Sequence, residues 1–159
     1  MSRIVVKIAD YKIATGSIFL ITYGLGSCVA VALYDPEIRT AGMGHIMLPD
    51  SAGVRTQGKS RKFADLCISE MLSEMEDNNC EFKRLVAKIA GGASMFDIPD
   101  KEKLRIGERN RDAVMSELVK RGIPLAAEDT GGNYGRTVEF NTGTGDMIIR
   151  SMRNGTKVI

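Results

Sequence analysis

The sequence predicts a single α+β domain with more strands than helices. Its 159 residues are about the length of one ordinary domain. Strand-like runs occur in clusters rather than alternating strictly with helices, which disfavours a simple doubly wound sheet. No internal repeat, low-complexity stretch or dividing linker is evident, so residues 1–159 are expected to form one unit. The content of 43% hydrophobic and 26% charged residues is typical of globular proteins and excludes global disorder.

Strands dominate the first fifty residues. Five short β-prone runs are present: Ile4–Ile8, Tyr11–Ala14, Ile18–Thr22, Val29–Tyr34 and Ala41–Leu48. Asp35-Pro36 predicts a turn after the fourth run, because proline fixes its own φ. Gly42 and Gly44 interrupt the fifth run and indicate a bulge or a close approach of another part of the chain.

Two helices are predicted in the rest of the chain. From Lys62 to Met75, apolar residues recur at spacings of three and four, which is the pattern of a helix that buries one face. A second helix is predicted from Glu108 to Lys120, ending at Arg121-Gly122, because basic residues and glycine favour a helix C-terminus. The remaining predicted strands are Leu85–Ala90, Leu125–Ala127 and the hairpin of Arg136–Phe140 with Met147–Arg150.

Charge and cysteine content exclude several protein classes. The chain has 22 basic and 20 acidic residues, a balance that does not call for a nucleic acid or an anionic membrane as partner. Three cysteines and one histidine lack the spacing of a structural zinc site, and reduced thiols are typical of cytoplasmic proteins. The longest apolar run, Val29–Tyr34, is far shorter than the roughly 20 residues that span a bilayer. We therefore expect a cytoplasmic protein with no membrane insertion.

The segment Thr22-Tyr-Gly-Leu-Gly-Ser-Cys28 carries the strongest chemical signal. Its glycines allow the backbone to turn sharply and to expose N–H groups that bind an oxyanion. Cys28 immediately precedes the fourth strand and His45 lies on the fifth, so if the two strands are neighbours the imidazole can take the thiol proton. The structural alternatives are a cysteine that acts as a small hydrophobe, a packed histidine and ordinary turn glycines. Cys67 and Cys80 are interpreted as structural.

Three other segments have both a structural and a functional interpretation. Gly91-Gly92 and Gly131-Gly132 each follow a strand, but neither has the lysine and hydroxyl spacing of a phosphate-binding loop, so turn geometry is favoured. A basic loop is either solvated surface or an electrostatic contact for an acidic partner. Its residues are Arg55, Lys59, Arg61 and Lys62.

Taken together, these motifs resemble the chemoreceptor glutamine deamidase family, CheD. The matching segments occur in the family's order: Thr22–Val29, Gly44–Ser51, Lys88–Phe96, Ile106–Asn110, and Glu128–Asn133 with Gly135-Arg136. They cover nearly the whole chain. The resemblance implies a three-layer α/β/β sandwich of mixed and antiparallel strands with two main helices.

The resemblance also implies an activity. Members of the family are cysteine hydrolases that convert particular glutamines on the cytoplasmic helical bundle of chemotaxis receptors to glutamate and ammonia. Position by position, the nucleophile is Cys28, the base is His45 and the third member is Thr22, with a thioester intermediate and no metal or organic cofactor. The family further implies binding to a CheC-type phosphatase of the response regulator, for which no residues are assigned.

Two hypotheses accompany this activity. The backbone N–H groups around Gly26 and Ser27 are expected to stabilise the oxyanion, and Lys59, Arg61 and Lys62 are expected to contact the receptor. Two alternatives stay open. One is a non-catalytic adaptor that binds receptor or phosphatase, and the other is a different acyl reaction at the same thiol, such as glutamyl methyl-ester hydrolysis or transglutamination.

Overall fold

The computed structural model describes residues 1–52, 60–95 and 105–159. Within these ranges the chain forms ten strands and two α-helices. The helices are α1 (Ala64–Asp77) and α2 (Ile106–Arg121). The strands are β1 (Ser2–Val5), β2 (Tyr11–Thr15), β3 (Ile18–Leu25), β4 (Val29–Asp35), β5 (Thr40–Ile46), β6 (Val86–Gly91), β7 (Leu125–Thr130), β8 (Arg136–Asn141), β9 (Met147–Ser151) and β10 (Gly155–Val158).

The strands form two mixed sheets that pack face to face. The order of one sheet is β1-β3-β8-β9-β10 and that of the other is β2-β5-β4-β6-β7. The β1/β3 and β6/β7 pairs are parallel, and the other pairs are antiparallel. Because alternate side chains of a strand point to opposite faces, Val31 and Leu33 of β4 pack under the helices while Ala30 and Ala32 pack against the other sheet. This is a three-layer α/β/β arrangement, and the predicted α+β class is confirmed.

Helix α1 lies directly on the two glycines of β5. A Cβ added at Gly42 would lie 2.8 Å from Cγ of Met71, and one added at Gly44 would lie 2.8 Å from Sγ of Cys67. The register of β5 is continuous against both neighbouring strands, so close approach is the correct interpretation and a bulge is not. Cys67 is fully buried on the face of α1 that packs on β5, as its position in the helical pattern predicts.

Element boundaries differ from the predicted ones where local patterns are weak. The first helix begins at Ala64 rather than Lys62, because Ser60–Lys62 form a 3-10 turn. Strand β10 was not predicted, since its residues are exposed and show no apolar alternation, and it is added to the sheet by pairing with β9. At the end of α2, Gly122 has φ 70°, the left-handed conformation expected of a glycine cap.

Candidate active site

A hydrogen-bond chain across the two sheets joins Thr22 to His45. The Thr22 hydroxyl, on β3, lies 2.7 Å from the Val6 carbonyl oxygen and 2.7 Å from Nδ1 of His45, on β5. A hydroxyl has a single proton, and the Val6 carbonyl can only accept it. Nδ1 of His45 must therefore be the donor to Thr22. This network assigns the neutral imidazole as the Nδ1–H tautomer, with the lone pair on Nε2.

The His45 ring is held rigidly and is nearly excluded from water. Its exposed fraction is 2%, its backbone N–H donates to the Asp10 carbonyl at 2.9 Å, and its carbonyl accepts from the Ala9 N–H at 3.0 Å. Nε2 has no hydrogen-bond partner among the described residues. Burial disfavours the charged imidazolium and lowers the pKa of His45 to about 4. At neutral pH the ring is thus an uncharged base with an unused lone pair.

Cys28 immediately precedes β4, the strand that pairs with the His45 strand β5. The register pairs Ala30 with His45 and Val29 with Ile46, so Cys28 is a diagonal neighbour of the imidazole. The Cα atoms of such diagonal neighbours are roughly 7–8 Å apart, a distance that long or aromatic side chains can bridge. Cys28 packs against the core between the sheets and is half-buried, whereas the other two cysteines are buried.

The resting thiol and imidazole are both neutral. Burial raises the pKa of the Cys28 thiol, and the structure shows no hydrogen bond from this thiol to Nε2 within residues 1–52, 60–95 and 105–159. A preformed thiolate–imidazolium pair is therefore not the resting state. Catalytic hydrogen bonds are often long before substrate binds and shorten in the complex. The arrangement suits proton transfer from sulfur to nitrogen as a carbonyl carbon is attacked.

The loop that precedes Cys28 is held by its carbonyl groups. The Gly26 carbonyl accepts from the Ala93 N–H at 2.9 Å, and the Cys28 carbonyl accepts from the Gly92 N–H at 2.9 Å. The N–H groups of Ser27 and Cys28 donate no hydrogen bond within the part of the chain that the structure describes. A loop with its carbonyls engaged and its N–H groups available is suited to bind an oxyanion.

Both glycine pairs adopt backbone conformations that favour glycine. Gly91 and Gly92 have φ of 111° and 65°, and a Cβ at Gly91 would clash with the Cys28 carbonyl oxygen. Gly131 and Gly132 also have positive φ, at 83° and 73°. Turn geometry and close approach therefore explain these glycines. The role of Gly91 beside the cysteine was missed from the sequence, because only strand pairing brings the two together.

Two of the three predicted receptor contacts, Arg61 and Lys62, lie within the described residues. Lys59 is outside the described residues. Arg61 donates to Asp10 at 2.7 Å, and its guanidinium lies 4.3 Å from the centre of the Tyr11 ring. Since the backbone carbonyl of Asp10 accepts the backbone N–H of His45, Arg61 supports the segment that holds His45. The Lys62 ammonium lies 5.2 Å from the centre of the Phe63 ring.

Two cavities differ in their relation to this site. One of about 670 Å³ is lined by Asp10, Met47, Arg61 and Lys62, and so adjoins the strand end that carries His45. A larger one of about 780 Å³ lies between the end of α1 and Phe82, and neither Cys28 nor His45 lines it. Of the two, only the smaller cavity is therefore next to the strand end that carries His45.

The described residues hold neither a metal-binding cluster nor a membrane-spanning helix. They contain no group of three or more histidine, cysteine or acidic side chains placed to hold a metal ion. None of the helices they form is long and apolar enough to cross a membrane.

Comparison with known proteins gave consistent matches. The model of a family described as CheD chemotactic sensory transduction matches residues 47–151. A probable chemoreceptor glutamine deamidase CheD 2 of Geobacter metallireducens is 48% identical, with 99% of each chain covered. Proteins named probable chemoreceptor glutamine deamidase CheD are 44% identical in Syntrophomonas wolfei, over 100% of both chains, and 47% identical in Moorella thermoacetica, over 97% of this chain and 93% of that one.

A solved structure is also similar in part. It is a hypothetical protein of Bacillus licheniformis, YfiH, with a TM-score of 0.45 and 17% identity over 76% of this chain and 50% of that chain. This TM-score is too low to indicate a shared fold.

Proposed function

The chain belongs to the CheD family, and from this premise we propose that it is a cysteine-dependent deamidase of chemotaxis receptors. It converts glutamine side chains to glutamate and releases ammonia. The names of the relatives support the substrate class, and one structural observation supports the chemistry. This observation is the Val6–Thr22–His45 hydrogen-bond chain, which leaves an unused lone pair on Nε2 of His45.

The first half of the reaction forms a thioester. Nε2 of His45 takes the thiol proton as Sγ of Cys28 attacks the side-chain carbonyl carbon of glutamine. The carbonyl oxygen becomes an oxyanion, which the N–H groups of the loop around Gly26, Ser27 and Cys28 stabilise. When the intermediate collapses, the carbon–nitrogen bond breaks and the proton on Nε2 passes to the departing ammonia.

The second half releases glutamate. Nε2 accepts a proton from a water molecule as the water oxygen attacks the thioester carbon, and the carbon–sulfur bond then breaks. The sulfur regains the proton and the thiol is restored. Through both halves, Thr22 accepts the Nδ1–H hydrogen bond and keeps Nε2 directed at the reacting atoms.

The electrostatics of the site predict a modest catalyst. A neutral hydroxyl stabilises an imidazolium less than a carboxylate would, and a base with a pKa of about 4 is weak for a thiol whose pKa is raised by burial. We expect the thiolate to form only with substrate in place. Such a site discriminates against unrelated amides, because it depends on docking to align the reacting groups.

Docking is proposed to involve two partners. The receptor's helical bundle is the substrate, with Lys59, Arg61 and Lys62 as contacts, and this places the protein in the cytoplasm. The Arg61 charge is shared with Asp10, so Lys59 and Lys62 are expected to contribute more to receptor binding. The second partner is a CheC-type phosphatase of the response regulator.

The test is deamidation of a purified receptor cytoplasmic fragment, read by peptide mass analysis for Gln-to-Glu conversion. Wild-type protein should convert specific glutamines, Cys28→Ala should convert none, and Cys80→Ala is the matched control that should retain activity. Absence of conversion by wild type would refute the proposal. Conversion by Cys28→Ala would remove the thiol from the mechanism, and phosphatase binding without conversion would favour an adaptor. A parallel assay with methyl-esterified receptor distinguishes an esterase by its release of methanol.

A further inference from the structure

A buried amide on α2 contacts the loop that carries the nucleophile. Asn110 has an exposed fraction of 0%, and its Nδ2 donates to the Ser27 carbonyl at 3.0 Å and to the Met47 carbonyl at 2.9 Å. Both neighbours are acceptors, so the nitrogen and not the oxygen of the amide must face them. The amide oxygen Oδ1 has no partner among the described residues.

The two contacted carbonyls lie just outside β4 and β5, with Ser27 two residues before Val29 and Met47 one residue after Ile46. Pairing of β4 with β5 reaches Val29 and Ile46 and extends no further toward the loop. The next position places Cys28 opposite Met47, beyond the last paired residues. Asn110 therefore links the two segments that lie just beyond the paired residues of β4 and β5, next to the proposed reaction centre.

The contact with Ser27 also orients an N–H group of the nucleophile. A trans peptide is planar, so its C=O and N–H point in opposite directions. Holding the Ser27 carbonyl toward α2 directs the Cys28 N–H away from α2. The hydrogen bonds from Ala93 to the Gly26 carbonyl and from Gly92 to the Cys28 carbonyl fix the neighbouring peptide planes in the same way. Asn110 is the one side chain among these three donors.

We propose that Asn110 is a positioning residue that orients the Ser27–Cys28 peptide so that the Cys28 N–H stabilises the oxyanion. It acts through the loop and does not touch the substrate. The inference rests on the proposed function for its natural reaction, but acyl transfer to Cys28 from any acyl donor tests it separately. A leucine of similar size would fill the same space without leaving Oδ1 unpaired, so simple packing does not explain an amide here.

The test compares two reactions of the same thiol. Acylation by p-nitrophenyl acetate passes through an oxyanion, whereas alkylation by iodoacetamide does not. In Asn110→Leu, acylation of Cys28 should fall by about 10- to 100-fold, because losing one oxyanion donor costs roughly 100-fold or more and a misplaced donor costs less. Alkylation should stay within about twofold, since no oxyanion develops in that reaction. With receptor fragment, kcat should fall while KM changes little.

Two further variants control for stability. Val114→Ala removes a buried apolar side chain from the same helix and should lower the melting temperature without changing the ratio of acylation to alkylation. Asn110→Ala leaves space for a water molecule to satisfy the two carbonyls, so it provides a second variant if the leucine variant fails to fold. Peptide mass analysis assigns both modifications to Cys28.

The outcomes separate the two hypotheses. A reduced acylation-to-alkylation ratio in the Asn110 variants supports the positioning role, even if wild type deamidates no receptor and the proposed function fails. An unchanged ratio in folded variants would overturn it, as would an equal decrease in both reactions that Val114→Ala reproduces. Failure of both Asn110 variants to fold would make the residue purely structural and would also overturn it.

Discussion

The protonation of His45 gives the most direct physical test of the site. Burial lowers the pKa of this imidazole from its ordinary value of 6.5 to about 4. The chain has a single histidine, so an NMR titration of untagged protein follows one imidazole without overlap. We expect a midpoint near pH 4, and we expect nitrogen chemical shifts at neutral pH to report the Nδ1–H tautomer.

The shift has a calculable effect on stability. The difference between a pKa of 6.5 and one of about 4 for His45 corresponds to about 3 kcal/mol of stability. The unfolded chain holds the proton more tightly than the folded protein does. This contribution is therefore fully present above about pH 6.5 and is lost as the pH falls toward 4. Between about pH 7.5 and about pH 4.5, wild type should lose roughly 2.5 kcal/mol through His45 alone.

Urea unfolding at these two pH values, with a His45→Asn control, measures this loss. Asparagine keeps an amide N–H near the position of Nδ1, so the hydrogen bond to Thr22 can form without a group that titrates. Acidification also removes the stabilising contribution of acidic side chains such as Asp10 and Asp35. That loss is the same in both proteins and cancels when their free energies of unfolding are compared. A His45 midpoint near pH 6.5, or an equal acid loss in wild type and His45→Asn, would refute the buried neutral imidazole.

Three other predictions concern the cysteine, a glycine and an ion pair. Since burial raises the pKa of the Cys28 thiol, alkylation by iodoacetamide should accelerate continuously as the pH rises past about 9, and a plateau in acid would reveal an imidazolium–thiolate pair instead. Gly91→Ala should lower the melting temperature and the deamidase rate, because the added Cβ would clash with the Cys28 carbonyl oxygen. Gly16→Ala is the control: Gly16 also has a positive φ but lies in open space, so this variant should lower only the melting temperature. Burial alone would raise the pKa of Asp35, and the Arg84 hydrogen bonds bring it below its ordinary value, so Arg84→Met should destabilise the protein at neutral pH and much less in acid, as urea unfolding can show.

Local patterns predicted most of the elements, for identifiable reasons. Apolar periodicity placed α1, and Arg121-Gly122 correctly marked the end of α2. Gly42 and Gly44 indicated either a bulge or the close approach of another segment. The register of β5 was needed to decide, and the segment that approaches is α1. Strand β10 was missed, because an exposed edge strand has no buried face to impose alternation.

The candidate site was only partly accessible from the sequence. Cys28 immediately precedes β4 and His45 lies on β5, and consecutive strands commonly pair, so their proximity could be expected. Thr22 entered through the family resemblance alone, since it lies in the other sheet. Asn110 gave no chemical signal, because one polar residue on a helix becomes informative only when its packing partners are known.

The order of residues along the chain determined the class of fold, the candidate thiol and imidazole, Cys28 and His45, and the glycines that let segments approach closely. These properties follow from side-chain chemistry and from local periodicity, which act over a few residues. Tertiary structure decided which nitrogen of His45 carries the proton, how far its pKa falls and which peptide planes are held around Cys28. Those properties depend on burial and on hydrogen bonds between residues 16 to 83 positions apart, and such contacts exist only after the two sheets and α2 have packed together.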